Sequence, residues 1–144
     1  MGIPLISNPG LIKACVDANV IISGAVFGGK PENVLQKILK RDFQHCSSEA
    51  ILNECGRNLK GKLKVDAALV DALLSEITAV STMVIPKGEV KAAPHAPDNL
   101  VLETALLGGC SVLVTGDTKH LIPLETFQGI AIETPAQFLA RFPS

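Results

Sequence analysis

The 144-residue sequence has no tryptophan, no tyrosine and only five phenylalanines. Stacking of bases on aromatic rings is therefore excluded as its main way of holding a nucleic acid. It also lacks an excess of either charge. Thirteen Lys and Arg stand against 14 Asp and Glu, for a net charge of -1. That balance excludes a broad electrostatic grip on a polyanion, so any nucleic-acid chemistry must use a local patch and a bound metal. No window reaches the ~18 consecutive apolar residues of a membrane span. The four cysteines, Cys15, Cys46, Cys55 and Cys110, form no C-x-x-C pair. A zinc site is thus unsupported, and they read as buried, reduced thiols in a cytoplasmic protein.

What the chain does have is apolar content. Apolar residues make up 47% and charged residues 19%, with a mean hydropathy of +0.35. This excludes disorder and, at this length, implies one domain with a sizeable core. Residues 1–12 lack a basic start and contain Pro4, Asn8 and Pro9, unlike a signal peptide. They are expected to form a leader, with a single domain over 13–144.

The pivotal stretch runs from Lys13 to Gly24. An apolar run ends on a carboxylate, Asp17, and helix-compatible residues follow. A buried parallel strand delivers an acid to the sheet edge in this way, and ligands of open α/β sheets bind at that edge. Gly28-Gly29-Lys30-Pro31 interrupts the helix, and Leu35, Ile38 and Leu39 give the next one an inward stripe. Phe43 to Cys46 is a short strand. Ser48 can cap a helix with Ile51, Leu52, Cys55 and Leu59 on one side. Asp66 can cap another, with Leu69, Leu73, Ile77 and Val80 inward. Thr82 to Ile85 is a third strand, and 86–97 a loop. Asp98 can cap a helix that stops at Gly108-Gly109. Ser111 to Thr115 is a buried strand running into Gly116-Asp117. Ile130 to Glu133 reads as an edge strand. Thr134-Pro135-Ala136-Gln137 combines a capping box with a helix-starting Pro, for a last helix to about Phe142. Alternating strands and helices imply a mostly parallel sheet covered on both faces.

Asp17 and Asp117 each follow a buried strand, so both fall on one sheet edge. Helix starts point to that edge too. Glu54 and Asp98 can therefore join them, with Glu54 about 60° around its helix from Ile51. Clustered carboxylates repel and raise one another's pKa, so a cation is their natural partner. Hard oxygen donors suit Mg²⁺ or Mn²⁺, and such an ion can activate water against a phosphodiester. Each acid also has an ordinary reading. A strand-end Asp can be a turn residue, Asp98 a plain N-cap, and Glu54 a surface acid. Glu49 competes with Glu54 for its place, although the helix dipole already explains a first-turn Glu.

Four stretches in order resemble the PIN domain: Val16-Asp17-Ala18-Asn19-Val20, Ser48 to Glu54, Asp98-Asn99 with Val101-Leu102, and Val114-Thr115-Gly116-Asp117. The similarity spans about residues 13–142 and is greatest to the subgroup described as toxin components of toxin–antitoxin systems, related to VapC-like ribonucleases. Phe27 to Pro31 and Ile132 to Leu139 share it. The resemblance implies a PIN-like three-layer α/β/α sandwich. It also implies a metal-dependent endoribonuclease for single-stranded RNA, with Mg²⁺ or Mn²⁺ on an acidic quartet. Asp17, Glu54, Asp98 and Asp117 take the quartet's places. Asn19, Ser48 and Thr115 take the supporting polar positions. A cognate antitoxin and a homodimer are further implications. The family often has an Asp three residues before the third acid. Here that residue is His95, which can ligate a metal or donate a proton near neutral pH but more often reads as a solvated loop histidine. Arg57, Lys60, Lys62 and Lys64 can hold RNA phosphates or simply solvate a helix end. Two rival functions are a non-catalytic PIN-fold module that binds RNA or protein, and a haloacid-dehalogenase-like phosphatase. The phosphatase needs a second Asp where this chain has Asn19.

Overall fold

A computed structural model describes residues 12–143, so the expected leader lies outside the described residues except for Ile12. The strands are β1 (Lys13–Val16), β2 (Gln44–Ser48), β3 (Ser81–Val84), β4 (Val112–Val114), β5 (Thr126–Phe127) and β6 (Ile130–Glu133). The helices are α1 (Ala18–Val26), α2 (Gly29–Leu39), α3 (Glu49–Arg57), α4 (Ala67–Val80), α5 (Ala96–Leu107) and α6 (Pro135–Leu139). They form a mixed α/β fold around one sheet of order β3-β2-β1-β4-β6-β5. Every pairing is parallel except β5 with β6. The central strands β1 and β4 are apolar and buried, as strands covered on both faces must be.

This order fixes where the helices go. The chain steps from β1 outward to β2 and β3, then returns to the far side of β1 for β4. Right-handed crossovers put the outward helices on one face and the returning helix on the other. Accordingly α1 packs on α2 and α3, and α2 on α4, whereas α5 lies across β1, β2 and β4. The reversal falls between β1 and β4, the strands that end next to Asp17 and Asp117.

Local chemistry sets the element ends. Asp17 caps α1 by accepting from Ala18 N at 2.7 Å. Ser48 caps α3, and Asp66 caps α4 by accepting from Leu69 N at 3.4 Å. Thr134 and Gln137 complete a two-way capping box on α6. Gly28 has φ +77, which a side chain disfavours. Gly24 lets α1 and α2 touch, since a Cβ there would stand 2.7 Å from Pro31 O. All four cysteines are free and buried.

Four details differ from the sequence expectation. Asp98 is not the cap of α5; His95 holds that position and Asp98 sits in the first turn. Leu69 is 66% exposed and Val70 takes the first inward position of α4, whereas Leu73, Ile77 and Val80 pack on the core as expected. β6 is not the edge, since the two-residue β5 pairs outside it. α6 stops at Leu139, short of Phe142, which packs on Phe138 with ring centroids 5.2 Å apart.

His45 lies inside β2, fully enclosed. Its Nδ1 meets Ser81 Oγ at 2.7 Å, and that hydroxyl donates to Ile77 O at 2.6 Å. Ser81 must therefore accept from Nδ1–H, and Nε2 has no partner. Burial pushes the His45 pKa down to about 3. The unfolded chain takes up this proton below the ordinary 6.5. His45 thus adds no penalty above about pH 6.5 and destabilises the fold as pH falls toward 3, at up to ~1.4 kcal/mol per pH unit. His45→Leu is expected to flatten that one-proton slope. Urea melts at pH 7 and 4.5 check it, and an unchanged slope would refute the assignment.

Candidate metal centre

The edge beyond β1 and β4 is built from backbone register upward. Val16 pairs with Val114, so the two strands end level. Asp17 N then donates to Val114 O at 2.8 Å, and Thr115 N to Glu133 O at 2.9 Å. Asp17, only 6% exposed, has both oxygens engaged. Oδ1 accepts from Ala18 N at 2.7 Å. Oδ2 accepts from Thr115 Oγ1 at 2.8 Å and from Asn19 Nδ2 at 3.2 Å. Thr115 Oγ1 in turn accepts from Asp117 N at 3.0 Å. Asn19 Oδ1 accepts from Gly116 N at 2.9 Å. Asn19 and Thr115 thus stitch the two acid-bearing turns together.

Asp117 is half-buried. Its Oδ1 accepts from the backbone N–H groups of Lys119 at 3.1 Å and His120 at 2.9 Å. Asp98 reaches the same edge from the first turn of α5. The segment before α5 is pinned by Asn99, which accepts from Ala93 N at 2.8 Å and donates to Ala93 O at 2.9 Å. Asp98 Oδ2 is sealed from solvent and accepts no hydrogen bond. Glu54 is half-buried on α3, whose start is fixed by Ser48 against Thr104 of α5 at 3.0 Å.

Electrostatics link the four acids. Burial above all, with the charges of Glu54 and Asp98, pushes the Asp17 carboxyl up to about 6 against the hydrogen bonds from Thr115 and Ala18. Burial also raises Asp98, with Asp117 adding to the rise and His95 and His120 opposing it. Glu54 and Asp98 thus both act on Asp17, and Asp117 acts on Asp98. The tightest group is narrower than the expected quartet. Among the described residues, Asp98, Asp117 and His120 bring one ligand atom each within 4.8 Å of one another. Asp17 and Glu54 stand beside that group. The donors fit a divalent cation, because like charges share an edge and one buried carboxylate oxygen has no partner.

The other candidates divide. Arg57 and Glu54 line one open pocket of about 310 Å³ between α3 and α5. Lys60 is drawn away into an ion pair with Asp71 at 2.6 Å. Lys62 closes a wider helical turn, Asn58–Lys62, beyond α3, and Lys64 lies just past it. His95 is exposed, as expected, but its ring stacks on His120 at 5.3 Å. His120 carries no sequence signal beyond its place three residues after Asp117.

Residues 13–119 match the family described as PIN domain. A search of curated proteins finds no match to the chain. Among solved structures, the chain is similar to the crystal structure of VapBC2 from Rickettsia felis bound to a DNA fragment from their promoter. The TM-score is 0.55 at 12% identity, over 85% of this chain and 98% of that one. At that identity the likeness is one of fold.

The raised Asp17 pKa has a consequence for stability. The folded state keeps this proton up to about pH 6, whereas the unfolded chain releases it near 3.8. The metal-free protein therefore loses stability as pH rises from about 4 to 6, by up to ~3 kcal/mol, and does not regain it above. Asp17→Asn cannot ionise. In EDTA at pH 7.5 it is expected to melt no lower than wild type, even though its amide faces Asn19. A melting point several degrees lower would mean that this carboxylate serves the fold.

Proposed function

The chain belongs to the PIN domain family, and we propose that it is a divalent-metal-dependent endoribonuclease that cleaves single-stranded RNA. The observation that carries this reading is the sealed, unpartnered Asp98 Oδ2, on a side chain that brings a ligand oxygen within 4.8 Å of ligand atoms of Asp117 and His120, at the topological switch point of the sheet. A buried carboxylate oxygen left without a hydrogen-bond donor is costly unless a cation shares it.

Asp17, Glu54, Asp98 and Asp117 would hold Mg²⁺ or Mn²⁺. When bound, such an ion supplies Lewis acidity toward water and toward a phosphodiester. The chain's own residues do the positioning. Thr115 and Asn19 fix Asp17 in one orientation through bonds of 2.8 and 3.2 Å. The turn amides of Lys119 and His120 fix Asp117. Ser48 anchors the helix that carries Glu54. Arg57, exposed beside Glu54, is the cation best placed to hold an RNA phosphate, with Lys62 and Lys64 further along and Lys60 paired to Asp71. No Ser or Cys nucleophile is required.

The biological role we assign is that of a toxin of a type II toxin–antitoxin pair, dimeric, cytoplasmic, and restrained by a cognate antitoxin. The similarity in fold to one chain of a VapBC2 complex supports it. No helix among the described residues is long and apolar enough to cross a membrane. The phosphatase reading lacks its second acid, because Asn19 spends its side chain on Asp17, Thr115 and Gly116.

Single-stranded RNA is expected to be cut with Mn²⁺ and spared with EDTA. Asp17→Asn, Asp98→Asn and Asp117→Asn should each lower the rate by about a hundredfold or more. Gel assays of a labelled oligonucleotide check this. Undiminished cleavage in EDTA would overturn the reading. RNA binding without cleavage under any divalent ion would favour a binding module, and hydrolysis of a phosphomonoester a phosphatase.

A further inference from the structure

His120 lies outside the acidic pattern, yet four features of the structure converge on it. One of its ring nitrogens lies within 4.8 Å of ligand oxygens of both Asp98 and Asp117. Its Nδ1 is 3.4 Å from Asp117 Oδ1, the oxygen that also accepts from its own backbone N–H at 2.9 Å. The ring stacks on that of His95, at 5.3 Å and 29° between planes. Asp98, which shares that group of ligand atoms, has its Oδ2 closed to solvent and without a hydrogen bond. The His120 side chain is itself 46% exposed. It contributes little to the core, but its position is held on two sides.

We propose that His120 is a nitrogen donor to the divalent ion held by Asp98 and Asp117, and that it makes the site favour Mn²⁺ over Mg²⁺. This deepens the nuclease reading and rests on it. Mg²⁺ is a hard ion that keeps oxygen ligands and much of its water. Imidazole is a softer donor, and transition ions accept it more readily. A site of carboxylates alone leaves the two ions close in affinity, whereas one added nitrogen separates them. The contact between Nδ1 and Asp117 is the one the ion would replace, with Nδ1 turning its lone pair to the metal. His95 is then a positioning residue: it sets the plane of the donor ring without touching the ion.

A different role would leave a different trace. If His120 only balanced the acids electrostatically, its loss would change affinity for both ions alike, in either direction.

The test uses RNA-free protein: wild type, His120→Ala and Asp98→Asn. Free Mn²⁺ is read by electron paramagnetic resonance during titration, and Mg²⁺ by competition against it. His120→Ala is expected to weaken Mn²⁺ by about tenfold or more and Mg²⁺ by less than about threefold. Parallel changes for the two ions, or none, would overturn the proposal. If Asp98→Asn abolishes Mn²⁺ binding while His120→Ala leaves the preference intact, the nitrogen donor is wrong and the nuclease reading stands. If wild type binds neither ion, both fall.

Discussion

The hydroxyl of Thr115 stands between two acids that lie 100 residues apart in sequence. It donates to Asp17 Oδ2 at 2.8 Å and accepts from Asp117 N at 3.0 Å. A hydroxyl suits this task because it is donor and acceptor at once. The contact is possible only because β1 and β4 are neighbours in register, with Val16 opposite Val114. That neighbourhood follows from the strand order, in which the chain, after laying β2 and β3 on one side of β1, crosses to the other side for β4. The crossover rule, the register and the hydroxyl therefore act as one constraint. Helices α3 and α5 bring Glu54 and Asp98 to an edge that this constraint has already fixed.

Two buried acids show how differently the fold treats a carboxylate. Glu103 on α5 accepts backbone N–H bonds from Lys87, Glu89 and Val90. Those bonds, Lys87 first, hold its pKa below the usual value. It is a structural acid that ties the 86–90 segment to α5. Asp17 receives bonds as well, yet burial and its acidic neighbours still drive it up to about 6. Asp98 has an oxygen with no partner at all. Glu103, held by amides of one loop and with its pKa lowered, supports the fold. Where local rules are broken and left uncompensated, a functional demand is the usual cause.

The acids at strand ends were legible because the signal is local. A short apolar run that stops on Asp, as at Val16-Asp17 or before Gly116-Asp117, can be seen in five residues. Caps were legible for the same reason, as at Ser48 and Thr134. Asp98 was misread because an Asp after Pro looks like a cap, whereas the helix begins two residues earlier with His95 as its cap. That error conceals what matters, since an Asp that caps spends its oxygens on the backbone and this one does not. Glu103 left no trace in the pattern, because its partners are backbone amides of a loop and any residue types could supply them. His120 was silent too: its position depends on a turn around Asp117 and on a stacked ring 25 residues away in sequence. The strand order β3-β2-β1-β4-β6-β5 was not readable either, because alternation of elements reveals parallel pairing but not neighbours. The short β5 edge lacked enough residues to show a period.

The composition and the edge together constrain how a polyanion can approach. The net charge is -1, and four acids are gathered at one edge. Of the cations nearby, Arg57 is exposed beside Glu54, Lys119 is exposed in the Asp117 turn, and Lys60 is taken by Asp71. With four carboxylates outnumbering these free cations, that edge disfavours phosphate. On the proposed reading, affinity for RNA and affinity for the divalent ion are then not independent quantities. Each must raise the other, by the reciprocity that binds any two ligands at one site. The acids that make the empty edge unfavourable are thus the groups that make RNA binding conditional on the ion. A more basic edge would bind RNA without it and lose that coupling.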